Sequence, residues 1–228
     1  MQKKYVPFLL FFAVLLVFAA HLGARLTAGT PAFSLAEAAE EKRVYLTFDD
    51  GPSTVVTNRI LDTLKEESVK ATFFIVSDRV SGREETLRRI VREGHTVGVH
   101  SATHDYGEIY ASDEALLADA DACAAVIRRV TGVTPRVYRF PGGGVEAERR
   151  KPLLEERGYT VVSWNAVCGD TDPRATAEEL LATSLETARG KQPVVLLLHD
   201  TAYRRATADA LPGIICRFRE AGYAFCAY

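Results

Sequence analysis

The chain is short of the features that would commit it to several large function classes. Its 228 residues include four cysteines and one tryptophan. None of the cysteines, Cys123, Cys168, Cys216 and Cys226, stands in a C-x-x-C pair, which disfavours a cysteine-type zinc site. Neither sign of charge is in large excess. Lys and Arg number 28 against 30 Asp and Glu, a formal net charge of -2, and residues 25–228 alone hold 26 basic and 30 acidic groups. A mildly acidic body argues against nucleic acid or an anionic membrane surface as a general partner. The glycine-rich segment lacks the Lys-Ser/Thr pair of a phosphate-binding P-loop. There is no low-complexity segment and no internal repeat beyond an alternation of strand and helix patterns. What is present is 47% hydrophobic and 25% charged, with 16 Gly and 9 Pro. That describes a core-forming chain with room for one domain, near the lower limit for an α/β barrel.

Lys3 and Lys4 precede an apolar run from Val6 to Ala20. A basic end followed by such a run resembles a secretory signal. The run is shorter than the roughly 20 residues that span a bilayer, although extension past His21 to Ala24 nearly reaches that length. Residues 1–24 are therefore read as a signal peptide or membrane anchor. Residues 25–41, without a hydrophobic period, are read as a linker, and residues 42–228 as a single folded domain. The protein is expected outside the cytoplasm, either released or tethered through residues 6–24. No Cys lies near this segment, which excludes a lipoprotein anchor. Outside the cytosol the four cysteines could form two disulfides. Cys216 and Cys226 are the favoured pair, against the alternative of small buried thiols.

From Arg43 a rhythm begins. Apolar, β-branched runs at Val44–Phe48, Ala71–Val76, Thr96–Val99, Arg136–Phe140, Thr160–Trp164, Val194–His199 and Tyr223–Ala227 predict seven strands. Helix-period stretches at 54–67, 83–93, 113–131, 146–157, 176–189 and 206–221 separate them. Seven strands alternating with six helices predict a parallel sheet with helical crossovers, closed or nearly closed. Ser112 before Asp113 and Glu114 marks a helix start, and Gly94, Gly132, Gly158, Gly190 and Gly222 mark helix ends. Pro152 predicts a kink or a later helix start.

In parallel α/β folds chemistry gathers at the carboxyl ends of strands, and the unusual polar residues here do the same. Asp49 and Asp50 end the first predicted strand, where a Gly51-Pro52 turn would let both face the barrel mouth. Taken alone, they would read as solvated turn acids; complementary ligands elsewhere in the chain weaken that reading. His100 ends the third, and His104 follows at i+4, a spacing that puts both on one face of a helical turn within reach of one metal. A carboxylate with two imidazoles suits Zn²⁺, Co²⁺, Mn²⁺ or Fe²⁺. Arg139 lies near the end of the fourth, before Gly142, Gly143 and Gly144, whose N–H groups could form an oxyanion hole; a flexible loop with a solvated Arg is the competing reading. Asp170 comes shortly after the fifth. His199 and Asp200 end the sixth, and at that place His199 reads as a general acid rather than a core histidine.

These residues resemble the polysaccharide deacetylase family, the NodB-homology domain of carbohydrate esterase family four. The resemblance runs from about Arg43 to Tyr228 through five segments in order. They are Thr47–Pro52, His100–His104, Arg139-Phe140-Pro141-Gly142-Gly143, Asp170 and Leu197-Leu198-His199. It implies a distorted (β/α) barrel of about seven strands and one divalent metal ion, with zinc favoured. It also implies roles: Asp50, His100 and His104 as metal ligands, Asp49 as general base toward the attacking water, and Arg139 holding Asp49 ionised. His199 would be the general acid tuned by Asp170, the Gly142 N–H an oxyanion donor, and Leu197 part of the acetyl pocket. Two departures stand out. Gly142 occupies a position where many relatives carry Tyr, and Thr171 follows Asp170 where a Trp is common. Trp164 could supply the missing wall or be a core aromatic. The resemblance implies removal of N-acetyl groups from a glycan, with peptidoglycan GlcNAc or MurNAc favoured. A chitin-like or exopolysaccharide substrate, a small-amide amidase and a glycan-binding relative without catalysis are the alternatives.

Overall fold

The structure is a computed structural model and describes residues 41–228; the predicted signal or anchor and nearly all of the predicted linker lie outside the described residues. Eight strands are present among the described residues: β1 (Arg43–Gly51), β2 (Thr72–Val76), β3 (Thr96–Ser101), β4 (Val137–Tyr138), β5 (Thr160–Val161), β6 (Ala166–Val167), β7 (Val194–His199) and β8 (Ala224–Cys226). Seven coincide with the apolar runs read from the sequence. The eighth, β6, is two residues long, too short for any periodicity to announce. The helices are α1 (Val56–Glu66), α2 (Glu84–Arg92), α3 (Tyr106–Ile109), α4 (Asp113–Thr131), α5 (Gly144–Glu156), α6 (Ala177–Ala188) and α7 (Arg205–Glu220). Six were expected and α3 was not. Among the described residues no helix is long and apolar enough to cross a membrane.

Local chemistry accounts for the helix ends. Ser112 Oγ accepts from Ala115 N–H at 3.1 Å to open α4, and Gly132 closes it at φ 77°. Thr176 and Glu179 form a reciprocal capping box at the start of α6. Pro152 neither ends α5 nor delays it, since the helix starts at Gly144 and continues to Glu156. Pro152 is solvent-exposed, so the Glu148 carbonyl that its ring deprives of a donor can turn to water.

The sheet order is β5-β4-β3-β2-β1-β7-β6, with every pairing parallel. β7 occupies one edge of β1 over Val44–Asp49. The other edge is shared: β8 pairs with Arg43–Tyr45 and β2 takes over from Thr47. The two end strands, β5 and β6, do not pair with each other, so the sheet curls into a barrel that hydrogen bonds leave open.

Strand alternation divides the core in two. Val44, Leu46, Phe48, Phe73, Ile75, Val97, Val99, Tyr138, Val194, Leu196 and Leu198 face the helices in one large cluster. Phe74, Val137, Val162 and Val195 form a smaller cluster on the opposite, interior face. Gly98 is dictated by that interior, because a Cβ there would lie 2.6 Å from Phe74 Cδ1 and 2.8 Å from Val137 Cγ2. Asp49, His100, Arg139, Leu197 and His199 all have the interior parity of their strands. The apolar plug thus forms a floor, and the polar residues form the next layer toward the carboxyl ends.

Candidate active site

Alternation alone would send Asp49 and Asp50 to opposite faces of β1. The register against β2 shifts between Asp49 and Gly51, and Asp50 takes a left-handed backbone at φ 76°. This bulge brings both carboxylates to the interior, in place of the Gly51-Pro52 turn expected from the sequence. His104, at φ 63°, is likewise left-handed. Such a backbone costs about 1–2 kcal/mol for a residue with a Cβ, so its use at two residues of one cluster points to a functional constraint.

His100 and His104 do not share a helical turn. His100 belongs to β3, and His104 follows in a loop before α3. Asp119 of α4 holds that loop: its carboxylate accepts from Ala102 N–H at 3.0 Å, Thr103 N–H at 3.3 Å and Ser101 Oγ at 3.1 Å. Ser101 Oγ in turn accepts from His104 N–H at 2.8 Å. The result is a cluster of Asp50, His100 and His104 with one ligand atom each, all within 4.8 Å of one another.

The cluster has the chemistry of a cation site. His100 is fully buried, and its Nδ1 lies 2.8 Å from the Arg139 carbonyl, an acceptor that puts the ring proton on Nδ1 and leaves the Nε2 lone pair facing the cluster. Burial also pulls His100 below its ordinary pKa despite Asp49 and Asp50 nearby, keeping the ring neutral as ligation requires. Asp50 Oδ1 lies 3.0 Å from His104 Nε2 and 3.7 Å from His100 Nε2, yet it is buried and accepts no aligned hydrogen bond. Burial opposes its ionisation, but the His104 contact and the Arg79 guanidinium prevail and hold the carboxyl well below the usual range. An ionised oxygen without a donor, faced by two imidazole nitrogens, fits a divalent metal ion.

Two pairs flank the cluster. On one side Arg139, fully buried, donates from Nη1 to Asp49 Oδ1 at 2.9 Å and to Thr47 Oγ1 at 2.7 Å, and from Nη2 to the Ser163 carbonyl at 3.1 Å. Its guanidinium lies 4.3 Å from the Phe74 ring centre, so the competing picture of a solvated arginine is excluded. Asp49 Oδ2 is left facing His100 Nε2 at 3.9 Å. On the other side His199 Nδ1 lies 2.8 Å from Asp170 Oδ1, and His199 N–H and Thr207 Oγ1 both donate to Asp170 Oδ2 at 2.8 Å. Burial alone would lower the His199 pKa, but the Asp170 carboxylate more than offsets it and raises the imidazole above its ordinary value. Burial would raise Asp170, and its contact with His199 lowers it instead.

Gly142 has φ 72° and its N–H meets no backbone acceptor among the described residues. Leu197 is nearly buried on the interior face two residues before His199. Trp164 packs partly against the interior cluster, and its ring lies where a Cβ on Gly143 would be, at 2.7 Å. A small cavity between Trp164, Gly143 and Gly144 is also lined by Glu148 and Lys151. All four cysteines are free: Cys123 and Cys168 are buried thiols, and Cys216 does not pair with Cys226.

The family profile described as polysaccharide deacetylase matches residues 36–162. The chain belongs to the polysaccharide deacetylase family. This deacetylase-family chain is 34% identical over 191 residues to YheN of Bacillus subtilis, covering 81% of its own length and 66% of YheN. It is 32% identical to a peptidoglycan-N-acetylglucosamine deacetylase of Bacillus cereus, covering 83% and 70% of the two chains. For PgdA of Listeria monocytogenes the identity is 33%, over 83% of this chain and 38% of that one. The fold is similar to the catalytic domain of a peptidoglycan N-acetylglucosamine deacetylase from Eubacterium rectale. The TM-score is 0.75 at 31% identity, covering 82% of this chain and 88% of that one.

Sequence reasoning passed over several residues that build the site. Arg79 donates to the Asp50 carbonyl at 2.6 Å, and Thr47, Asp119 and Thr207 hold Arg139, the histidine loop and Asp170 as described. Thr47 stands in the first segment of the resemblance, which gave it no role of its own, and Arg79, Asp119 and Thr207, on a turn and on helices, give no pattern. Asp200 is fully buried beneath the Asp49–Gly51 bulge, with Thr57 Oγ1 donating to its Oδ2 at 2.6 Å. Burial pushes its carboxyl up to about 7, and a Cβ on Gly51 would overlap it.

Proposed function

We propose that residues 42–228 form a metal-dependent hydrolase that removes N-acetyl groups from an N-acetylated glycan, with peptidoglycan GlcNAc or MurNAc as substrate. The observation that carries this reading is the arrangement itself. A carboxylate–bis-imidazole cluster lies between an Arg-held carboxylate and an Asp-held imidazole in one interior layer. Asp50, His100 and His104 would hold the ion, zinc by preference. When bound, it would supply Lewis acidity toward the acetyl oxygen and lower the pKa of water.

The chain's own residues divide the remaining work. Arg139 occupies Oδ1 of Asp49, so the proton leaving the attacking water goes to Oδ2, the free oxygen beside the cluster. Asp170 holds the His199 proton at Nδ1, so Nε2 presents the second proton to the departing amine nitrogen. The water oxygen–carbon bond forms, the C–N bond breaks, and acetate and a free amine leave. The Gly142 N–H supports the negative charge that develops on the acetyl oxygen. Leu197 and Trp164 line the acetyl side, Trp164 in place of the aromatic that Thr171 does not supply.

Residues 1–24 serve as export signal or anchor and 25–41 as linker, which puts the domain at the cell surface beside peptidoglycan. The complete set of ligands, base and acid argues against a binding-only relative. The test is acetate release by the purified full chain, with and without chelator, from acetylated peptidoglycan and from N-acetylglucosamine oligomers side by side. Chelator-sensitive acetate is expected, and the preferred polymer identifies the substrate. Asp49→Asn is expected to keep its metal and lose roughly 10²–10⁴-fold in kcat. Absence of acetate from a folded, metal-loaded sample overturns the reading.

A further inference from the structure

Large hydrophobic side chains with substantial exposure are few among the described residues. Val55, Tyr106, Val145 and Tyr203 belong to segments that follow β1, β3, β4 and β7, on the face where the site opens. Tyr106 is the one whose ring packs beside a residue of the metal cluster, with its centre 5.4 Å from that of His104. It is 49% exposed. Scattered exposed apolar residues are ordinary and need no function. Tyr106 differs because everything but its outer face is fixed.

Three contacts fix it. Its backbone opens α3, where the Asp105 carboxylate accepts from Gly107 N–H at 2.8 Å and Glu108 N–H at 3.2 Å. Its ring meets the edge of Tyr110 at 6.0 Å, and Tyr110 Oη donates to the Pro141 carbonyl at 2.6 Å, pinning the glycine loop. The ring also lies against Gly142. A Cβ on that residue would be 3.1 Å from Tyr106 Oη and 3.2 Å from Cε2 and Cζ. A tyrosine held on three sides loses little freedom when its fourth side binds something. It offers an apolar face and a hydroxyl edge, which match the C–H face and hydroxyl rim of a pyranose ring.

We propose that Tyr106 is a substrate-contacting residue whose open face receives the N-acetylated sugar beside His104, and that Gly142 lacks a side chain because Tyr106 fills the space one would need. The identity of the ligand rests on the deacetylase reading; the contact itself does not depend on turnover.

The experiment pairs kinetics with binding. Acetate release and calorimetric affinity for N-acetylglucosamine oligomers are measured for the wild type, Tyr106→Ala, Tyr106→Phe and Gly142→Ala. The double variant of Tyr106→Ala with Gly142→Ala is included. Tyr106→Ala is expected to raise KM and weaken oligomer binding by roughly tenfold while kcat, metal content and circular dichroism stay near wild type. Tyr106→Phe separates the hydroxyl from the ring. Gly142→Ala is strained at φ 72° whatever its neighbour. Relief of its clash by Tyr106→Ala should make the double loss in kcat/KM smaller than the product of the single losses. Unchanged affinity and KM in Tyr106→Ala, with an active wild type, overturn the role of Tyr106 and leave the deacetylase reading standing. Oligomer binding that Tyr106→Ala loses, without acetate from the wild type on either oligomers or acetylated peptidoglycan, overturns the deacetylase reading and supports the contact. A wild type that binds neither these oligomers nor acetylated peptidoglycan and releases acetate from neither overturns both.

Discussion

Asp170 grips His199 twice, through the ring at Nδ1 and through the backbone N–H, and its own second oxygen is completed by Thr207. The sign of the resulting pH dependence follows directly. The general acid proposed at His199 works only while protonated, and its imidazole is held above its ordinary pKa of 6.5. Its contribution is therefore present below that raised value and lost as pH rises through it. Replacing Asp170 by Asn removes the charge that favours the imidazolium but keeps an oxygen that can accept from Nδ1. The basic limb of the kcat/KM profile should then move to lower pH by roughly one unit or more, with the metal retained. A limb that does not move assigns the acid to another group. Strand-end positions singled out the residues that converge here, because parity and place on the strand are visible in a one-letter string. Thr207 was not legible. A threonine near the start of a helix has many uses, and only the fold reveals which carboxylate it faces.

At the scale of elements, the two features that make the candidate metal cluster are the ones that periodicity misreports. Strict alternation puts Asp49 and Asp50 on opposite faces, and only the one-residue bulge at Asp50 corrects this. The i, i+4 spacing of His100 and His104 implies a helical turn, whereas the chain supplies a strand end and a loop. Both errors arise because pattern reading assumes regular backbone, and the site is built where backbone is irregular. The loop depends on a partner from a distant element. Asp119 of α4 takes three donors from Ser101, Ala102 and Thr103, and in an alanine-rich helix it reads as one more solvent-facing acid. Asp119→Ala releases the loop without touching a ligand atom. Metal affinity is expected to fall about 10–100-fold, with kcat at saturating metal within a few-fold of wild type. Chelator competition measures the first quantity and metal-supplemented turnover the second. Equal affinity in the variant means that the loop is held by its own backbone.

For the whole molecule, the strands and their parallel, nearly closed sheet were legible because apolar, β-branched runs alternate with helix-period stretches along the chain. The sharing of one β1 edge between β8 and β2 was not, since sequence does not say which strand ends where along a neighbour. That sheet order gives the metal cluster a mechanical consequence. Asp50 comes from β1, His100 from β3 and His104 from the loop that follows β3, and β1 and β3 are separated by β2. An ion bound there ties together parts of the barrel that no single hydrogen-bond ladder joins, and the unfolded chain has no comparable site. Binding to the native state alone adds about 2.7 kcal/mol at a hundredfold excess over Kd. For a domain of this size that corresponds to a Tm rise of roughly 5–10 °C. Asp50→Ala and His104→Ala should abolish the rise, because each removes a ligand atom. Asp49→Asn should preserve it, because Asp49 lies outside the ligand set and is answered by Arg139. Thermal melts of the three variants, with and without chelator, thus separate the residues proposed to hold the ion from the one proposed to act as base beside it. A wild type whose Tm ignores both metal and chelator would mean that the cluster is held by protein contacts alone.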